Sequence, residues 1–184
     1  MQNRKPMVLV LAGPNGSGKS TITTFFEKAG KYTNADDIVA ATGMDNMEAA
    51  VLADELRYQS IEEKEDFTFE TVLSSAYKLN ILRKAKDEGY FIKSVFVLTV
   101  DPGINVRRVT SRVASGGHDV DREKVIERYY KSLKNIKKLL EISDIMHVYD
   151  NTGVPQRIIR KHKDDLTIYP NEYWSEKNIL ELLE

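Results

Sequence analysis

The chain opens with a compact apolar block, Met7 to Leu11, flanked by charge on one side and glycine on the other. An unbroken apolar run of this length reads as a strand buried on both faces. A helical pattern follows and ends near Gly30, a plausible stop in the left-handed conformation. Tyr32 to Asn34 is a short extended piece. From about Asn46 to Lys64 the apolar residues Met47, Leu52, Leu56 and Ile61 recur at helical spacing. Phe67 to Glu70 reads as a short strand. Ser74 or Ser75 caps the next helix, and Gly89 stops it. "YFIKSVFVLTV" is a long strand running to Asp101. A helix after Pro102 ends at "SGGH", and Asp121 opens a long basic amphipathic helix to about Ile142. "IMHVY" is the last parallel strand. "QRIIRKHKDDLTIY" reads as a hairpin, and Ser175 caps a final helix. Strands alternating with helices predict an α/β fold in three layers, with a mainly parallel five-stranded sheet, a helical lid and a C-terminal hairpin plus helix.

Length and charge narrow the picture. At 184 residues the chain fits one domain, taken as 1–184, with room for a real core. A net charge of −1 argues against a mainly electrostatic nucleic-acid binder. Cysteine is absent, which excludes disulfides and thiolate metal sites. No apolar stretch approaches membrane-span length. A cytoplasmic protein is expected, where ATP and Mg²⁺ are available.

The chemistry begins in "LVLAGPNGSGKSTITTFF". Gly13, Gly18, Lys19 and Ser20 occupy the fixed positions of the phosphate-binding loop G-x-x-x-x-G-K-[S/T]. Phosphate oxygens need several donors converging on a small volume. Glycines let backbone N–H groups turn inward without Cβ clashes, and a helix starting inside the motif adds its unpaired N–H groups. Gly13, Asn15, Gly16, Ser17, Gly18, Lys19, Ser20 and Thr21 are therefore the candidate nucleotide cradle. Lys19 reaches the outer phosphates and Ser20 is the candidate Mg²⁺ ligand.

The loop alone does not name a reaction. Six stretches do more: "AGPNGSGKST", "NADDI", "FETVLSS", "RVASGGHDV", "RYYKSLKNI" and "VYDNTG". In this order they resemble the small P-loop kinases of the zeta toxin type, from Leu11 to about Gly153. The resemblance implies a P-loop NTPase fold of the kinase type, ATP as donor and a hydroxyl of a small metabolite as acceptor. It implies that Asp36, the first aspartate of "NADD", is the base, and that Glu70, followed by Thr71, lies in the substrate site. UDP-N-acetylglucosamine as acceptor and an antitoxin-like protein partner rest on the resemblance alone. Asp121 stands where the family usually has proline; both residues start helices.

The residues fit those roles on their own terms. Phosphoryl transfer to an alcohol needs a group that orients the hydroxyl and cations around the transferred phosphate. Asp36 and Asp37 follow the short second strand, at the carboxyl edge where such folds place their sites, although either could instead cap a helix. Arg112 and Arg128 flank the break Ser115 to His118, a layout suited to a lid that brings guanidinium groups onto developing charge. His118 stays outside the catalytic set. Asp101 ends an apolar strand as a Walker B aspartate would, but the Pro102 that follows favours a helix cap. Asn151 follows the last strand, where the adenine or lid is met. A regulatory nucleotide-binding ATPase without transfer is the alternative reading.

Overall fold

A computed structural model describes residues 4–114 and 120–184. In chain order the elements are β1 Met7–Ala12, α1 Lys19–Thr23, β2 Lys31–Thr33, α2 Ala35–Thr42, α3 Asn46–Glu62, β3 Phe67–Thr71, α4 Tyr77–Asp87 and β4 Phe91–Leu98. They continue as α5 Pro102–Ala114, α6 Arg122–Leu133, α7 Ile136–Ile142, β5 Ile145–Asp150, β6 Gln156–His162, β7 Asp165–Ile168 and α8 Glu176–Glu181. No helix among the described residues is long and apolar enough to cross a membrane.

The sheet has seven strands in the order β2-β3-β1-β4-β5-β6-β7. Its first five strands are parallel, as the alternating pattern predicts. The expected hairpin does not stand apart: β6 pairs antiparallel with β5, and β7 with β6, so the hairpin continues the sheet. Ile158 and Ile159 of β6, with Trp174 and Ile179 beyond it, are buried in the same core as Val8, Val10 and Phe96. That shared core is why the C-terminal segment belongs to the fold rather than trailing from it.

Two helices differ from their expected lengths. The first spans only Lys19–Thr23, because Thr24 to Phe26 leave the helix in tight turns and Ala29 is instead held through both its N–H and C=O by the Thr68 hydroxyl at 2.8 Å. The expected long helix from Asp121 breaks in two at Lys134 and Asn135. There Asn135 turns its amide to the Leu73 carbonyl, 2.8 Å away, and the Ser132 hydroxyl donates to the Val72 carbonyl. Asp121 caps α6 as expected, accepting from Glu123 N and Lys124 N. Ser175 caps α8 in the same way. Ser75, by contrast, accepts only from Tyr77 N, and the residue at the cap of α4 is Ala76.

Beneath the edge strand β2 lies a buried ionic cluster. Arg57 of α3, 2% exposed, donates to Asp54 at 2.7 Å and to the Thr33 hydroxyl at 2.9 Å, over the Phe69 ring. Lys78 closes on the same Asp54 at 2.6 Å. The cluster ties α3 and α4 to the end of β2, one residue before the cap of α2. Removing one member of a buried pair leaves an uncompensated charge. Asp54→Ala should lower unfolding stability by about 3 kcal/mol, read as a lower urea midpoint at unchanged slope. An unchanged midpoint would show that the cluster does not hold this edge.

Candidate active site

The phosphate loop crosses the carboxyl end of the sheet between β1 and α1, and neighbours brace it on three sides. From β3, the Thr71 carbonyl accepts the Gly13 N–H at 3.2 Å. From α5, the fully buried Asn105 donates to the Asn15 carbonyl at 2.7 Å while accepting from the Thr99 hydroxyl. From the turn after β5, the Asn151 amide donates to the Ser17 carbonyl at 2.8 Å. This closeness dictates glycine in the loop, as two of its positions show. At Gly13 (φ 142°) a Cβ would lie 2.1 Å from the Val97 carbonyl oxygen, and at Gly18 (φ 82°) 2.1 Å from the Asn151 amide nitrogen.

Lys19 stands at the centre. Its ammonium donates to the Gly13 carbonyl at 2.8 Å and the Pro14 carbonyl at 3.3 Å, folded back on its own loop. Enclosure pushes its pKa down to about 8; Glu70 and then Asp36 pull it back up, and Arg112 opposes them. Three side chains singled out in the sequence, drawn from three other stretches of chain, therefore act on the charge of Lys19.

Each is positioned by local structure. Asn34 caps α2 by accepting from Asp36 N at 3.1 Å, so neither Asp36 nor Asp37 serves as the cap and both carboxylates face solvent. Glu70, half-buried at the end of β3, accepts from the Tyr32 hydroxyl at 2.7 Å; burial and then this bond hold the phenol well above its ordinary pKa. Thr71 accepts from Leu73 N at 3.0 Å, and Leu73, pinned by Asn135, adopts φ 57° in the left-handed region. Arg128 Nη1 lies 3.5 Å from the Asn15 side-chain oxygen, already at the loop. Arg112, on an exposed part of α5, is also near Lys19. The break they flank, Ser115 to His118, lies outside the described residues. Asp101 acts as a cap: its carboxylate accepts from Gly103 N at 2.6 Å, which places it in the helix start rather than a Walker B role.

A nucleotide and its metal fit what is present. Among the described residues the loop carries a lysine whose only acceptors are the Gly13 and Pro14 carbonyls and a buried Ser17 hydroxyl with no partner; the Ser20 residue is exposed at the helix start. Sequence reading missed several residues around this site. Asn105 and Tyr32 are among them, and so is Arg108, whose Nη2 donates to the Asn151 carbonyl at 2.8 Å while Nη1 is buried without a partner among the described residues. Arg108 and Arg112 sit four apart on one helix, and nothing in that spacing tells which of the two turns inward. A separate surface recess, ringed by Arg4, Lys31, Lys64, Glu65 and Asp66, opens at the amino end of the sheet, and its charges pair among themselves and with Glu63 and Glu88.

Fold and site together define a P-loop NTPase of the kinase type. The chain belongs to the zeta toxin family, whose model matches residues 40–172. An uncharacterized protein of Haemophilus influenzae is 28% identical over 135 residues, covering 70% of this chain and 94% of that protein. Among solved structures, AvrRxo1-ORF1:-ORF2 with ATP superposes at a TM-score of 0.76 with 13% identity over 98% of this chain. This chain spans 64% of the length of that one. The PezAT chromosomal toxin-antitoxin system of Streptococcus pneumoniae superposes at 0.57 with 17% identity, over 79% of this chain and 69% of that one. At these identities the likeness to solved structures is one of fold.

The lowered lysine pKa has a measurable consequence. Above pH 8 the empty loop holds Lys19 largely neutral, and a bound polyphosphate restores its ammonium. Binding of tripolyphosphate at pH 9 should take up as much as about one proton more than binding to Lys19→Arg, which stays charged. The difference should vanish near pH 6.5. Calorimetry in buffers of different protonation enthalpy reads it, and equal uptake by both proteins at pH 9 would contradict the geometry.

Proposed function

We propose that this chain is a phosphotransferase that moves the γ-phosphate of ATP to a hydroxyl of a small metabolite. The observation that carries the reading is the convergence of Glu70, Asp36 and Arg112 on the ammonium of Lys19. A nucleotide switch needs the loop and its lysine. Two carboxylates set against them serve an acceptor.

Bound ATP and Mg²⁺ supply the phosphoryl group and neutralise its charge. The backbone of Gly13, Asn15, Gly16, Ser17, Gly18 and Thr21 holds the phosphates, Lys19 sits against the outer ones, and Ser20 ligates the metal. Asp36 orients the acceptor hydroxyl and takes its proton as the new P–O bond forms. A loose transition state asks little base strength, so an exposed carboxylate suffices. Glu70 and Thr71 hold the acceptor, with one carboxylate oxygen of Glu70 already fixed by Tyr32. Arg112 and Arg128 meet the charge that develops on the transferred group. Asn151 and Arg108 border the nucleotide on the far side of the loop. UDP-N-acetylglucosamine is the candidate acceptor, on family grounds. A protein antitoxin belongs to the same proposal: AvrRxo1-ORF1 is solved with ORF2, and PezAT is a toxin-antitoxin system. In the cytoplasm both ATP and such acceptors are at hand.

The test is [γ-³²P]ATP with Mg²⁺ and a small-metabolite cell extract, followed by separation and mass spectrometry of labelled products. The parent should form a labelled phosphomonoester. Asp36→Asn should lower the yield rate by about 10²-fold or more while still binding ATP, and Asp37→Asn should be mild. If Asp36→Asn runs at the parent rate and Glu70→Gln does not, the base is Glu70. If label passes only to water in every case, the protein is not a metabolite kinase.

A further inference from the structure

The two faces of the outer sheet are dressed differently. On β5, Met146, Val148 and Asp150 turn into the main core, whereas Ile145, His147 and Tyr149 turn the other way and stay partly exposed. The register sets Arg160 of β6 beside His147 and Arg157 beside Tyr149, with Lys93 of β4 opposite Ile145. Among the described helices, α1 packs on this side against β1 and β4. It is five residues long, and its apolar cluster ends at Leu9, Leu11, Val95 and Val97, with Phe26 and Tyr149 at the margin. The outer strands are left with cations and rings.

Lys93, Arg157 and Arg160 make no ion pair among the described residues, although the chain as a whole carries −1. His147 Nδ1 and Arg157 Nε are buried with no hydrogen-bond partner among the described residues. Burial first, then Arg157, Lys93 and Arg160, push the His147 imidazole down to about 4, so all three cations are felt at one ring. The acidic residue that the register brings to this face is Asp165, at its outer rim opposite His162.

We propose that this face docks an acidic segment of a protein partner. Unpaired cations and the unpartnered Arg157 Nε–H match carboxylates. Arginine and tyrosine are the residues that dominate protein interfaces, and Phe25, next to Phe26, is 80% exposed. A nucleic acid fits less well, because its bases need free ring faces. Here Lys93 lies over the Phe26 ring at 5.6 Å and Arg157 over the Tyr169 ring at 5.2 Å. The face is distinct from the phosphate loop, so the proposal stands whether or not the chain is a kinase.

The test is fluorescence anisotropy at low salt with a labelled glutamate-rich peptide and an oligothymidylate of equal charge. The peptide should bind the parent and Lys19→Ala alike, which separates this face from the phosphate loop. Arg160→Glu should weaken peptide binding about tenfold or more, and Lys93→Gln by less, with ATP binding unchanged in both. Retained ATP binding also shows that the variants fold. The proposal is overturned if the peptide does not bind, if binding ignores both substitutions, if it is lost in Lys19→Ala, or if the oligothymidylate binds more tightly than the peptide.

Discussion

A lysine ammonium enclosed by its own glycine loop is the constraint around which this structure is arranged. Among the described residues, Lys19 has only the Gly13 and Pro14 carbonyls as hydrogen-bond acceptors. An enclosed cation with two neutral acceptors is poorly stabilised, and its lowered pKa expresses that cost. The loop is therefore built for an anion. What surrounds the lysine decides what is done with that anion.

The surroundings come from distant parts of the chain, each fixed by an ordinary device. Asn34 takes over the cap of α2, which releases Asp36 from that duty and leaves its carboxylate at the sheet edge. Tyr32, two residues earlier, holds Glu70. Arg57 grips Thr33 between them from below. Three consecutive side chains of one short edge segment thus position the two carboxylates and anchor the strand. Asn105 and Asn151 do the same for the loop from the other side.

Much of this was legible from residue type and spacing, because phosphate chemistry imposes a local motif. The loop is contiguous, so its glycines, lysine and serine announce themselves, and the parallel order of five strands follows from the alternation of apolar blocks. The capping role of Asp101 was readable from Pro102. What was hidden depends on contacts made at a distance. Nothing in "KYTNADD" tells that Tyr32 reaches Glu70, 38 positions away. The helix from Asp121 has an unbroken amphipathic pattern, and only the carbonyls of Val72 and Leu73 explain why it is cut at Asn135. The hairpin was visible as a hairpin. Its place in the sheet was not, since pairing with β5 depends on Ile158 and Ile159 finding a core assembled elsewhere. The open basic face escaped because its residues alternate along three strands and meet only through register.

The convergence of charge on Lys19 can be measured without nucleotide or acceptor. Nitrogen-15 NMR of the Lys19 side chain, followed against pH in the empty protein, reads its pKa directly. The account predicts a value near 8 in the parent, a lower one in Glu70→Gln and in Asp36→Asn with the larger drop in Glu70→Gln, and a higher one in Arg112→Ala. A Lys19 pKa that is the same in all four proteins would contradict it, for the carboxylates and the arginine would then not share a site with the loop.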